Sequence, residues 1–275
     1  MRFYKEETTQ NFDSIHLSCL QTALDGHIFT ITLNRPEKRN AFTPTMANEI
    51  AFSLAYAHYQ PHIRCVILKA NGPAFCAGAD LTAFHDPAAD QKNPALPQPR
   101  EEVLLGDVFR ALHKPCIAQV EGPVLAGGFL LICGATFVIS TVDATFGLPE
   151  VKRGIWPMQV MASLSRVVSA RKLLELSITG QNYSGAEALA MGLVTRVTDR
   201  HNIESEVKNL ATLISKNAPY AIKLGMESFE KLADLPEVEK HHYLMEQLKK
   251  LLATEDAREG TSAFKEKREP DWKGK

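Results

Sequence analysis

Two glycine-bearing strings and one carboxylate carry the residue types that do chemistry. In FCAGADL, residues 75–81, Gly78 permits a tight turn and close ligand approach, so the backbone amide of Ala79 can point into a cleft. In EGPVLAGGFL, residues 121–130, Gly127 and Gly128 open a helix, where unpaired amides and the positive end of the dipole favour an anionic oxygen. Two preorganised amides aimed at one oxygen stabilise an oxyanion without rearrangement, worth roughly 10²–10³-fold per donor. Taken singly, each string reads more readily as ordinary turn glycines. Glu150 follows Gly147, Leu148 and Pro149 in a turn. Beside an apolar cleft, desolvation raises such a carboxylate toward pKa values useful for proton transfer. The alternative is an exposed turn glutamate that caps the next segment.

Other reactive side chains lack partners. Cys76 lies beside the proposed amide pair, but no base accompanies it, and a small packing residue is the simpler reading. His27 and His85 are isolated, and His58, His62, His241 and His242 lack the spacing and carboxylate company of a metal site. No metal is expected. The AGG string does not match a dinucleotide or nucleotide phosphate loop.

These groups need elements to hold them. Residues 28–33 (IFTITL) alternate apolar and polar and predict a strand, closed by Asn34, Arg35 and Pro36. Thr43 as N-cap, Pro44 in the first turn, and Met46, Ile50, Leu54 and Ala57 at helical spacing predict a helix that stops before Pro61. The apolar run 64–70 (RCVILKA) predicts a strand covered on both faces. Residues 83–100, with four prolines, read as a mobile surface loop, and 101–113 as a helix bearing Val103, Leu104, Val108 and Leu112. A strand at 116–120, a glycine-rich helix start at Ala126 and a strand at 137–140 continue the alternation, which implies an α/β architecture. Beyond Pro157, helices are predicted at 158–168, 171–179, 184–190, 217–232 and 238–253, the last striped by Leu244, Leu248 and Leu251. The division expected is a core over 1–200 and a helical region over 201–275.

Whole-chain properties narrow the class. The 275 residues are 45% hydrophobic and 23% charged, enough for a sizeable core and unlike a disordered chain. A net charge of -1 argues against general nucleic-acid affinity. The apolar stretch 123–139 contains Gly127, Gly128, Gly134 and Thr136, and reads as buried helix plus strand rather than a membrane span. Five unclustered cysteines read as reduced thiols, and no secretory leader is evident, so the cytoplasm is expected.

Four ordered strings, LNRPEKRNAF (33–42), FCAGADL (75–81), EGPVLAGGFL (121–130) and FGLPEVKRGIWP (146–157), resemble the crotonase family of enoyl-CoA hydratases and isomerases. GAEALAMGLV (185–194) and TSAFKEKREPDW (261–272) extend the likeness over nearly the whole chain. The resemblance implies a crotonase-like spiral core of ββα-type units with a helical C-terminal trimerisation region. It implies an acyl-CoA substrate whose thioester oxygen meets the amides of Ala79 and Gly127, and a trimer or dimer of trimers. No cofactor is implied beyond the coenzyme A moiety of the substrate. By position, Arg35, Lys38 and Arg39, then Ala77, Asp80 and Leu81, fall where the family contacts coenzyme A. Phe264 and Lys267 match residues that reach its adenine end from a neighbouring subunit. Thr82 stands where hydratases often carry a lysine, which removes one expected contact.

The chain departs from the family at the acid and base. Hydratases of this family hold one water between two glutamates, and the first of those positions is Leu130 here; the second is Glu150. Moving a double bond needs one carboxylate, which takes a proton from C2 of a 3-enoyl thioester and returns it at C4. Isomerisation is therefore favoured over hydration, unless Asp86, Asp90, Glu101 or Glu102 supplies a second carboxylate. A silent coenzyme A-binding protein and another thioester reaction, such as hydrolysis or decarboxylation, are the competing readings.

Overall fold

The computed structural model describes residues 1–275, the side chain of Pro87 excepted. Its strands are β1 Leu20–Asp25, β2 Ile28–Leu33, β3 Cys65–Ala70, β4 Cys116–Val120, β5 Val124–Leu125, β6 Phe137–Thr141, β7 Thr145–Gly147, β8 Asn182–Ser184 and β9 Arg196–Thr198. Its helices are α1 Glu6–Thr9, α2 Pro44–Tyr59, α3 Leu81–His85, α4 Leu105–Arg110, α5 Phe129–Gly134, α6 Met158–Leu164, α7 Ala170–Thr179, α8 Gly185–Ala190, α9 Ile203–Ser215, α10 Pro219–Lys231, α11 Glu237–Leu252 and α12 Glu255–Glu266.

Six strands form one sheet in the order β1-β2-β3-β4-β6-β9, with β1 antiparallel to β2 and every later pair parallel. The central parallel strands are mostly apolar because each face meets a different core. Val66 and Leu68 of β3, with Ala118 and Val120 of β4, join Met46 and Ile50 of α2 and Phe129 and Leu131 of α5. Cys65, Ile67, Ile117 and Ile139 point the other way, onto Ile203, Val207, Leu210, Ala211 and Ile214 of α9. Alternation along a strand divides its residues between those two layers. Thus α9, the first helix after residue 200, covers the second face of the sheet. A small sheet, β5-β7-β8, carries the segments around Gly127 and Glu150.

The expected strand at 28–33 and the α2 cap are present, the Thr43 hydroxyl accepting from the Met46 amide at 3.1 Å. Three expectations need correction. The helix expected over 101–113 is α4 alone: residues 101–104 form a bend and irregular chain whose amides have no backbone acceptor, and the Arg100 amide before them donates to the Phe3 carbonyl at 2.9 Å. The helix expected over 158–168 stops at Leu164, where tighter bonds from Arg166 to Ser163 and from Val167 to Leu164 close the last turn. The segment 83–100 is fastened rather than loose. It opens within α3, Asp90 accepts from the Thr45 amide and hydroxyl at 2.9 Å, Asn93 reaches Glu49 at 2.8 Å, and Leu96 is buried. The apolar stretch 123–139 divides into β5, a 3₁₀ turn, α5 and β6, and among the described residues no helix is long and apolar enough to cross a membrane.

Candidate functional site

The turn at 76–80 is tied down on either side of Ala79. The Ala77 amide donates to the Arg39 carbonyl at 3.0 Å, the Phe42 amide to Gly78 at 2.9 Å, and the Asp80 amide to Phe42 at 2.9 Å. The amide of Ala79 itself has no acceptor among the described residues. Gly78 is required here on two counts: its φ is +97°, and a Cβ would stand 2.8 Å from Ala126 Cβ and 3.2 Å from the Gly127 nitrogen.

The second string arrives from β5. Leu125 bonds to Cys76 at 2.9 Å, and Ala126 then takes φ +50°, a left-handed conformation costing a non-glycine residue roughly 1–2 kcal/mol. That bend starts the 3₁₀ turn Ala126–Gly128, whose first amides have no partner within the turn. A Cβ on Gly127 would meet the Phe42 ring at 2.9 Å and the Ala79 nitrogen at 3.4 Å, so the two amide-bearing residues are neighbours.

Glu150 lies in the 3₁₀ segment Pro149–Arg153, just after β7, and is 8% exposed. Its Oε2 is buried with no hydrogen-bond partner. Burial pushes its carboxyl above the usual glutamate range, opposed by its own backbone amide and by Arg153. Leu130, 7% exposed on α5, shares with Ala79, Gly127 and Glu150 one mostly apolar cavity of about 900 Å³. Pro99, the stretch from Glu101 to Leu105, Trp156 and Val160 also line it.

Of the four carboxylates considered as a second acid, three are committed elsewhere, and Asp86 and Asp90 do not line the cavity. Asp86 accepts from the Ala88 amide at 2.9 Å, Asp90 holds Thr45, and Glu101 is gripped by Arg2 through both oxygens. Glu102 lines the cavity, exposed, with no ion pair among the described residues. Cys76 is fully buried, and desolvation pushes its thiol up to about 12, where no thiolate nucleophile is available at neutral pH.

The residues singled out for coenzyme A divide into three groups. Ala77 and Leu81 line the cavity. Lys38 and Arg39 are exposed, on the loop whose Arg39 carbonyl holds Ala77. Arg35 and Asp80 are turned on each other: the guanidinium reaches Asp80 at 3.3 Å and the Ala41 carbonyl, while the other Asp80 oxygen caps α3. Phe264, 85% exposed on α12, and Lys267 at its end do not line the cavity.

Sequence reasoning missed Asn40, which is buried at φ +53°; its amide donates to the Asn71 and Ala74 carbonyls at 2.8 and 2.9 Å, and its oxygen accepts from the Arg35 amide at 2.8 Å. One side chain thereby locks the 35–42 loop against the turn bearing Ala79. An asparagine at a loop corner was the available signal, since asparagine tolerates left-handed backbone. Nothing in the local pattern revealed the 99–105 wall.

The sequence matches the family profile described as enoyl-CoA hydratase/isomerase over residues 24–275. It is 35% identical over 258 residues to a mevalonyl-coenzyme A hydratase of Aspergillus fumigatus, covering 93% of this chain and 94% of that protein. It is 34% identical over 253 residues to an enoyl-CoA hydratase of Mycobacterium tuberculosis, covering 91% and 94%. A crystal structure of an enoyl-CoA hydratase/isomerase from Mycobacterium paratuberculosis aligns with a TM-score of 0.83 at 26% identity, over 94% of this chain and 100% of that one. The mixed sheet with a helical C-terminal region is thus the crotonase fold.

Proposed function

The chain belongs to the enoyl-CoA hydratase/isomerase family, and from that premise we propose that it interconverts 2-enoyl-CoA and 3-hydroxyacyl-CoA thioesters with Glu150 as its single proton carrier. The observation that carries this reading is the Glu150 carboxylate, buried with an unpartnered oxygen in the cavity that also holds the amide-bearing residues Ala79 and Gly127. Both relatives described above are named hydratases, which supports hydration over the isomerisation that Leu130 favours on sequence grounds.

In the dehydration direction, the Glu150 carboxylate takes a proton from C2. The electron pair moves onto the thioester oxygen, where the Ala79 and Gly127 amides offer donors that need no rearrangement. The enolate then returns its electrons to form the C2–C3 double bond and expel the C3 hydroxyl. That hydroxyl takes the proton from Glu150 and leaves as water, so the carboxylate is regenerated. Hydration runs the same steps backwards. A lone carboxylate serves both transfers when they occur in sequence on one face of the substrate.

Isomerisation of 3-enoyl-CoA is the second reading, favoured by the apolar Leu130, which supplies no second anchor for water. Lys38 and Arg39 are assigned to the coenzyme A phosphates, and coenzyme A enters only as part of the substrate. Exposed Phe229, Leu244, Leu248 and Leu252 on α10 and α11 support a homo-oligomer in which Phe264 and Lys267 serve a neighbour's coenzyme. The buried thiols support a reducing compartment such as the cytoplasm.

The test offers 2-enoyl-, 3-enoyl- and 3-hydroxyacyl-CoA thioesters to the unmodified protein and to Glu150→Gln. Water addition to the 2-enoyl thioester, lost in the variant, is the expected result. Turnover of the 3-enoyl substrate alone replaces the first reading with the second, and an undiminished Glu150→Gln rate removes Glu150 from both.

A further inference from the structure

Residues 1–23 precede the region that the family profile matches, yet they touch the cavity wall. Phe3 and Tyr4 are each 1% exposed, and the Tyr4 ring packs edge-on against Phe52 of α2 at 5.2 Å. The Arg2 guanidinium sits 5.5 Å from the Phe3 ring centre, so it projects from a fixed base.

From there Arg2 makes three side-chain hydrogen bonds. Its Nε and Nη2 donate to the two Glu101 oxygens at 2.6 and 2.9 Å, and its Nη1 donates to Asp107 at 2.9 Å. Residues 101–105 line the cavity, but the amides of Glu101, Glu102, Val103 and Leu104 have no backbone acceptor. It has no ladder of its own, so its shape depends on how its ends are held. Arg2 grips one end at Glu101 and the other at Asp107, in the first turn of α4. The Phe3 carbonyl adds a main-chain bond from Arg100. Isolated surface ion pairs contribute little to global stability, but a two-pronged guanidinium–carboxylate pair fixes direction as well as distance.

We propose that Arg2 is a positioning residue that, by gripping Glu101 and Asp107, holds the 101–105 stretch as one wall of the acyl cavity and so sets the size of acyl group accepted. The proposal rests on the reading of this cavity as the acyl site. Arg2 touches no reacting atom in this scheme; it acts through Val103, Leu104 and Leu105, which line the cavity.

The test compares unmodified protein with Arg2→Ala, Arg2→Lys and Glu101→Gln by hydrogen exchange and by kinetics on thioesters of graded acyl size. Arg2→Ala should speed amide exchange at 100–107 only. It should change KM for the bulkiest accepted acyl group about tenfold while leaving kcat on a four-carbon thioester within about twofold. Glu101→Gln should reproduce part of that effect, and Arg2→Lys, which keeps the charge without the fork, should fall between. Unchanged exchange at 100–107, or a rise spread across the sheet, overturns the proposal. An unaltered acyl-size profile alongside local loosening overturns it too. If the unmodified protein turns over no thioester, the functional reading fails instead, and the exchange result still decides whether Arg2 holds the wall.

Discussion

Leu130 and Glu150 line one cavity from α5 and the 3₁₀ segment after β7, and Leu130 offers no hydrogen-bonding group to the unpartnered Oε2 of Glu150. The carboxylate thus sits in apolar company, which raises its proton affinity and leaves it free to act on a ligand.

Glu150→Gln should lower kcat by about 10²–10⁴-fold, the usual worth of a positioned acid–base group, with a smaller change in thioester binding. Because the buried oxygen has no partner, the same change should raise thermal stability by about 1 kcal/mol, or roughly 2–4 °C in Tm. Turnover assays and calorimetry on the same preparation check both, and a variant that is inactive but less stable would contradict the second.

The pH dependence follows from the direction of the Glu150 shift. The proton-accepting form is the carboxylate, so kcat/KM should fall on the acid side at a pH above the ordinary glutamate range. The folded state holds this proton more tightly than the unfolded chain. Its contribution to stability is therefore present at low pH and lost as pH rises through the folded value. The Tm gap between Glu150→Gln and unmodified protein should be near zero at about pH 4 and widest at about pH 8. A gap that narrows with rising pH would reverse the assignment.

Glu102→Gln addresses the one unpaired carboxylate on the 99–105 wall. With Glu150 as sole proton carrier, kcat should stay within about threefold, whereas a loss on the order of 10²-fold would make Glu102 a second acid–base group. Steady-state rates on the accepted thioester are sufficient.

Gly78→Ala tests the backbone turn. The added Cβ would press on Ala126 at 2.8 Å and adopt φ +97°, so the neighbouring strings must part. The expected loss is about 10²-fold or more in kcat from a displaced donor, with about 1–3 kcal/mol of stability. Retained activity with lowered stability would separate this turn from the reaction.

Much of the site was legible because it is written in backbone chemistry. Gly78 and Gly127 mark places where only a missing side chain allows two strands of chain to meet, and local residue type reports that need. The α2 cap and β2 were equally visible, since Thr43 and the 28–33 alternation express local rules. The expected helix over 101–113 went astray for the opposite reason: its apolar spacing is helical, but residues 100 and 101 bond to Phe3 and Arg2 from the far end of the chain, and 101–104 stay irregular. Likewise Arg35 and Asp80 satisfy each other across 45 residues, a pairing that no local pattern announces.

The sequence by itself determined the family, the two amide-bearing turns and the pairing of Leu130 with a lone Glu150, because these depend on residue identity and spacing. Only the tertiary structure decided that Glu150 is buried with a free oxygen, that Glu102 is unpaired at the cavity, and that Arg2 bridges Glu101 and Asp107. Burial, desolvation and long-range contact depend on which distant segments come together, and that information exists only once the chain has packed.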